Sequence, residues 1–222
     1  MTGTNRYVIA VDGPSGSGKS TVSRRLATAL GGAYLDTGAM YRAVTWAVLR
    51  SGVDLTDAAT IAKVAAEVEL TVGTDPAAPH ISADGHAVDA EIRGPEVTGA
   101  VSAVAAVPAV RELLVARQRQ IIAGSGTSIV VEGRDIGRVV APNADLKVYL
   151  TASAAERARR RSAEHDADVR ATAEALARRD HLDSTRKTDP LQVAPDAVVL
   201  DSTELGIDEV VAKLRAMLVG AA

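Results

Sequence analysis

The residues most suited to chemistry lie near the N-terminus, in Gly13-Pro14-Ser15-Gly16-Ser17-Gly18-Lys19-Ser20, followed by Thr21. Their spacing fits G-x-x-x-x-G-K-[ST], the loop that cradles the phosphates of a nucleoside triphosphate. Glycines let successive backbone N–H groups turn inward at a helix N-terminus and form an anion nest. Lys19 places a point charge on the terminal phosphates, and the Ser20 hydroxyl is suited to ligate Mg2+.

A second constellation follows in Asp36-Thr37-Gly38-Ala39-Met40-Tyr41-Arg42. Thr37 is expected to cap a helix, with Tyr41 and Arg42 one turn further along and facing the same cleft. A hydroxyl, a phenol and a guanidinium suit a dianionic phosphate, although a capped surface helix would carry the same pattern. Arginine is the other signal. Twenty of the 25 basic residues are Arg, a bias that GC-rich coding would also give, but ten of those lie between Arg134 and Arg186, so something local, suited to gripping phosphates, is added to it.

These residues need a scaffold that brings loops to one edge. Tyr7-Val8-Ile9-Ala10-Val11 reads as a buried strand before the loop, and Lys19 to Leu30 as a helix after it. Ala33-Tyr34-Leu35, Ser128-Ile129-Val130-Val131, Leu146 to Leu150 and Ala197-Val198-Val199-Leu200 read as further strands of a parallel sheet buried on both faces. Helices are expected over Met40 to Val48, Val107 to Ile122 (entered through Pro108), Ala154 to about Asp183, and from Ile207 to Leu218. Between Glu67 and Glu96 the texture changes. Val68, Leu70 and Val72 alternate with polar residues, and Asp84-Gly85 marks a type I′ hairpin. A doubly wound α/β domain with a small antiparallel insert is the expected architecture.

Composition removes other classes. With no Cys there is no disulfide framework, thiol nucleophile, Cys-bound zinc or iron–sulfur cluster. The net charge is 25 − 28 = −3, and four Tyr, one Trp and no Phe give little stacking surface, so nucleic acid is not an expected partner. No apolar run approaches the roughly 20 residues that span a bilayer, and Met1 to Asn5 show no leader pattern. A cytoplasmic, monomeric protein is expected. His80, His86, His165 and His181 are scattered without metal-ligand spacing.

Asn143-Ala144-Asp145 lacks the lysine of an N-K-x-D guanine reader, and 222 residues leave no room for the added domains of large ATPases. A small kinase with a small acceptor remains. By residues alone the acceptor stays open among nucleoside monophosphates and shikimate, and a nucleotide-dependent switch or a basic nucleic-acid face stays in play.

Taken together, the chain resembles the bacterial cytidylate kinases over nearly its whole length. The resemblance rests on Asp12 to Thr21, Leu35 to Arg42, Glu91-Ile92-Arg93, Ser102 to Arg111, Val131-Glu132-Gly133-Arg134-Asp135-Ile136-Gly137, and Arg179-Asp180 to Arg186. It implies a P-loop kinase with a parallel five-stranded core (1–37, 98–152 and 187–222), a monophosphate-binding region with an insert (about 38–97) and an arginine-bearing lid (about 153–186). The implied reaction moves the γ-phosphoryl group of ATP, with Mg2+, onto CMP or dCMP.

By position, Thr37, Tyr41 and Arg42 would contact the acceptor phosphate. Ser102, Arg111 and Asp135 would read cytosine. Arg134 would hold the acceptor phosphate, and Arg179, Asp183 and Arg186 would gather near sugar and phosphate. Arg157, Arg159, Arg160 and Arg161 look like the lid. Their i, i+4 spacing favours Arg157 and Arg161 as the phosphate-facing pair, then Arg160. Glu132 stands where relatives more often carry Asp.

Overall fold

The computed structural model describes residues 6–165 and 167–220. The leader expectation on Met1 to Asn5 falls outside these residues, as does the side chain of His165. In chain order, β1 (Val8–Asp12), α1 (Lys19–Ala29), β2 (Ala33–Asp36) and α2 (Thr37–Arg50) come first. Then come α3 (Ala58–Glu67), three short strands β3 (Leu70–Val72), β4 (Ile81–Ala83) and β5 (His86–Ala87), and two helices α4 (Pro95–Ala105) and α5 (Pro108–Gly124). β6 (Ile129–Gly133), β7 (Leu146–Thr151), α6 (Ala154–His165), α7 (Val169–Thr185), β8 (Val198–Asp201) and α8 (Ile207–Gly220) complete the order.

The main sheet has the order β2-β6-β1-β7-β8 and is parallel throughout, as the β-branched runs predicted. Side chains alternate across it. Ile9, Val11, Val130, Val148 and Leu150 pack under α1 and α8 with Val22, Leu26, Val210 and Leu214. Ala10, Leu35, Ile129 and Val131 face the other way, onto Met40, Val44, Val48, Val104, Val110 and Leu114 of α2, α4 and α5. The small sheet, β3-β4-β5, is antiparallel. Its hairpin turns through Asp84 (φ 50) and Gly85 (φ 76), the two left-handed positions of a type I′ turn. Ile81, Ala83 and Val88 join the same core as α2, so the insert is welded to the main body rather than hung from it.

Two expectations are corrected. The cap of α2 is Asp36, whose carboxylate accepts from Ala39 N at 2.9 Å, while Thr37 is the first helical residue. The Thr37 hydroxyl instead donates to the Glu132 carbonyl at 2.7 Å, tying α2 to β6. The stretch from Ala154 to Asp183 is not one helix but two, with α7 restarting at Asp168, whose side chain accepts from Ala171 N. The break lets the two helices pack against each other, so arginines from both can reach one place. Among the described residues no single helix is long and apolar enough to cross a membrane.

Candidate active site

Register decides where the site forms. Asp12 pairs with Gly133, and Asp36 with Glu132, so the carboxyl ends of β1, β2 and β6 finish level. The loops leaving them therefore converge on one edge, the general binding position of open parallel sheets. Asp12 fixes that edge. Its buried carboxylate accepts from Ile136 N and Gly137 N, both at 2.8 Å, and so orients the turn after Arg134-Asp135. Burial pushes this carboxyl up to about 6, against the pull of the two amides.

Two adjoining cavities open there. The first is lined by Ser15, Gly16, Gly18, Lys19, Ser20 and Thr21 of the glycine-rich loop, together with Arg42, Arg93 and Arg161. The second is lined by Thr37, Tyr41, Ser102, Arg111, Asp135, Asp183 and Arg186. Lys19, Gly38, Glu132, Arg134 and Arg179 belong to both, so they form the shared wall.

In the loop, the Ser17 hydroxyl and Lys19 Nζ donate to the Pro14 carbonyl at 3.1 and 2.6 Å, and Arg134 Nη1 donates to the Gly13 carbonyl at 2.9 Å. Gly16 has φ 77, and a Cβ there would stand 2.8 Å from the carbonyl oxygen of Arg157, so glycine is what lets α6 lie on the loop. Burial, then the neighbouring Arg134, presses the Lys19 ammonium well below its usual range. Arg179 is pressed down to about 9 by burial and by Arg134 and Arg42, and Arg42 to about 10 by burial and by Arg161. Cations crowded out of water in this way are stabilised by an anion, the expected state of a phosphate site. The buried Nε of Arg179 has no hydrogen-bond partner.

Ser20 and Glu132 meet at the shared wall. The Ser20 hydroxyl donates to Glu132 Oε1 at 2.8 Å, and Glu132 Oε2 is buried with no partner. A hydroxyl beside a carboxylate with a spare oxygen suits a hard divalent cation, so the residues fit the Mg2+ that the loop implies. Tyr34, read from sequence only as part of a strand, is buried beside Ser20 and Glu132, and burial, then Glu132, pushes its phenol up.

The second cavity ends in paired charges. Arg111, with a side chain 2% exposed, pairs through Nη2 with Asp135 and through Nε with Asp189 at 2.9 Å. Its guanidinium lies 5.5 Å from the centroid of the Tyr41 ring. Arg186 Nη2 is 3.7 Å from Asp135, and Arg134 Nε donates to Asp183 at 2.9 Å. Burial alone would raise the Asp183 carboxyl, but Arg134 and Arg179 hold it below its usual value. α4 and α5 turn through 98° between Ala105 and Pro108, which is how Ser102 and Arg111 come to line the same cavity.

A family model described as cytidylate kinase matches residues 9–218. The chain belongs to the cytidylate kinase family. The cytidylate kinase of Rhodococcus jostii (strain RHA1) is 57% identical over 216 residues, covering 95% of this chain and 94% of that protein. That of Nocardia farcinica (strain IFM 10152) is 58% identical over 219 residues, covering 96% and 94%. A solved structure of an uncharacterised protein from Eubacterium ventriosum ATCC 27560 aligns with a TM-score of 0.55 at 10% identity, over 97% of this chain and 99% of that one, a likeness of fold alone.

Within this cytidylate kinase fold, most residues singled out from the sequence line one cavity or the other. Gly13, Pro14 and Ser17 serve the loop through backbone and internal hydrogen bonds. The arginines of α6 diverge. Arg161 lines the first cavity, whereas Arg157 lines neither and instead donates to the Ser15 carbonyl at 3.0 Å and pairs with Asp180. Arg160, ranked next for phosphate, is committed elsewhere: it donates to Glu156 Oε1 and to the Ser202 carbonyl, both at 2.7 Å. Arg159 is solvent-facing and paired with Glu156. Among the described residues no cluster of three His, Asp or Glu is arranged to hold a metal.

Proposed function

We infer that this chain transfers the γ-phosphoryl group of ATP to CMP or dCMP, giving CDP or dCDP. The observation that carries the reading is the shared wall. A cavity floored by the phosphate loop and a cavity ending in Arg111 and Asp135 meet at Lys19, Glu132, Arg134 and Arg179. Donor and acceptor phosphates would therefore face each other across converging cations, which is the geometry in-line transfer requires.

The acceptor's phosphate oxygen is already anionic, so no general base is needed. Lys19, Arg134, Arg161 and Arg179 stabilise the spreading negative charge. Arg157 joins them by exchanging Asp180 for a phosphate oxygen. Gly13 to Thr21 hold the ATP phosphates, and Arg42, with Thr37 and Tyr41, receives the acceptor phosphate. Ser20 would hold Mg2+, with Glu132 beside it. When bound, the cation neutralises charge on the phosphate oxygens.

Cytosine offers an N4 amino donor that Asp135 can accept and an N3 acceptor that Arg111 can satisfy, with Ser102 alongside. Uracil reverses both and leaves buried groups unpaired. Arg179, Asp183 and Arg186 would contact the sugar and phosphate. We assign 153–186 as the lid and 38–97 as the acceptor-binding region. The single chain is taken as the active unit because it lines both cavities by itself, and a cytoplasmic location is part of the same proposal.

A coupled ADP-release assay with ATP and Mg2+ against CMP, dCMP, UMP, AMP, GMP and shikimate tests this. Turnover strongest with CMP and dCMP is expected. Turnover with a different acceptor, or none at all, would overturn it.

A further inference from the structure

Asp189, in the segment that follows α7, was not singled out by its sequence. It adopts φ 48 immediately before Pro190. A residue preceding proline is normally driven to extended backbone, and a non-glycine residue in the left-handed region persists only where its surroundings over-determine it. Of the two other such residues, Asp84 is explained by its hairpin and Asp196 (φ 60) by the turn that Ala197 N closes on the Ala194 carbonyl at 3.2 Å. Asp189 is in no hairpin.

What over-determines Asp189 is a pair of arginines. Its Oδ2 accepts from Arg111 Nε at 2.9 Å. Its carbonyl oxygen accepts from Arg186 Nε at 2.7 Å and also from Arg186 Nη2. The turn is closed by Leu191 N donating to the Asp183 carbonyl at 2.8 Å. One residue thus grips, with side chain and backbone, the two arginines that flank Asp135 from either side.

Donor arithmetic gives this grip a purpose. A guanidinium carries five N–H groups. On Arg111, Asp189 takes the Nε–H, Asp135 takes one on Nη2, and the Ala105 carbonyl takes one on Nη1 at 3.4 Å. Two remain for a ligand. Where those two aim depends on the roll of the plane, and without Asp189 only Asp135 and the long contact to the Ala105 carbonyl would hold it.

We propose that Asp189 is a specificity-determining positioning residue, fixing the roll of Arg111 so that its free N–H groups meet cytosine, and joining that aim through Arg186 to the end of the arginine-bearing helix. This rests on Arg111 and Asp135 being the base reader.

The test is steady-state kinetics with CMP and UMP at saturating ATP on Asp189→Gly, Asp189→Asn and, as a control on the underlying reading, Arg111→Met. Glycine keeps the left-handed backbone and removes the carboxylate. Asparagine tolerates that backbone and keeps an acceptor oxygen. For Asp189→Gly the KM for CMP is expected to rise about tenfold with kcat changed much less, and the CMP-to-UMP ratio of kcat/KM to fall about tenfold. Asp189→Asn should recover part of the ratio. A merely structural role would lower thermal stability, kcat or affinity for ATP and leave the ratio alone. If Arg111→Met collapses the ratio while Asp189→Gly keeps it, the proposal fails and the base reader stands. If Arg111→Met keeps the ratio too, the base reader itself fails and takes the proposal with it.

Discussion

The Ser20 hydroxyl donates to Glu132 Oε1 across 2.8 Å, joining the last residue of the phosphate loop motif to the end of a neighbouring strand. Glu132 is buried, its second oxygen has no partner, and burial, with Asp36 nearby, pushes its carboxyl up to about 7. A divalent cation would supply the missing partner. Ser20→Ala and Glu132→Gln should each raise the Mg2+ concentration giving half-maximal rate by about 10- to 100-fold. An Mg2+ titration at fixed ATP reads this directly, and an unmoved midpoint in both variants would exclude the pair from the metal site.

Arg134 and Arg157 bracket the loop, donating to the carbonyls of Gly13 and Ser15. Replacing either by Ala should lower kcat by about 10³- to 10⁵-fold, the usual scale for an arginine at a transferring phosphoryl group. Melting should remain cooperative. Near-normal turnover in both variants would remove them from the chemistry.

Arg160 predicts the opposite pattern. Its hydrogen bonds run to Glu156 and Ser202, which fasten α6 to the strand end beyond β8. Arg160→Ala should cost about 1–3 kcal/mol of stability in denaturant unfolding while kcat changes only a few-fold. A large kcat loss with unchanged stability would reverse its assignment.

Asp12 makes a pH prediction whose sign is fixed. Its folded carboxyl titrates at about 6, while an unfolded Asp titrates at about 4. Between those values the folded protein binds more protons, so this group's contribution to stability falls as pH rises from about 4 to about 6 and is level above. The unfolding free energy of wild type minus Asp12→Asn should decline across that window and then flatten. A flat difference throughout would show that Asp12 is not perturbed.

Strands and loop were legible because their signals are local: β-branched runs, a glycine spacing, an Asp-Gly turn. What sequence hid was which partner each polar residue takes. Asp36 and Thr37 are both good caps, and only the extended backbone of Asp36 (φ −86, ψ 93) decides between them. The restart at Asp168 was readable in principle as a capping side chain, but no Pro or Gly marks the break. Arg157 and Arg160 are indistinguishable by spacing from other helix-surface arginines, yet their partners Asp180 and Ser202 lie in different elements. Asp180 enters the sequence reading only as part of the resemblance, with no partner assigned, and Asp189 sits in a turn-like stretch where an aspartate attracts no notice. Their roles come from contacts across the fold.

The quartet of Arg111, Arg186, Asp135 and Asp189 sums to zero charge, whereas the first cavity beside it sets six cations, among them Lys19, Arg42, Arg134 and Arg179, against Asp36, Glu132 and Glu164. Dissolved ions weaken the second kind of attraction and scarcely affect a neutral, buried hydrogen-bonding face. Ionic strength therefore separates grip from choice. Added salt should loosen the hold on every phosphate-bearing substrate alike and leave the preference between pyrimidines where it was.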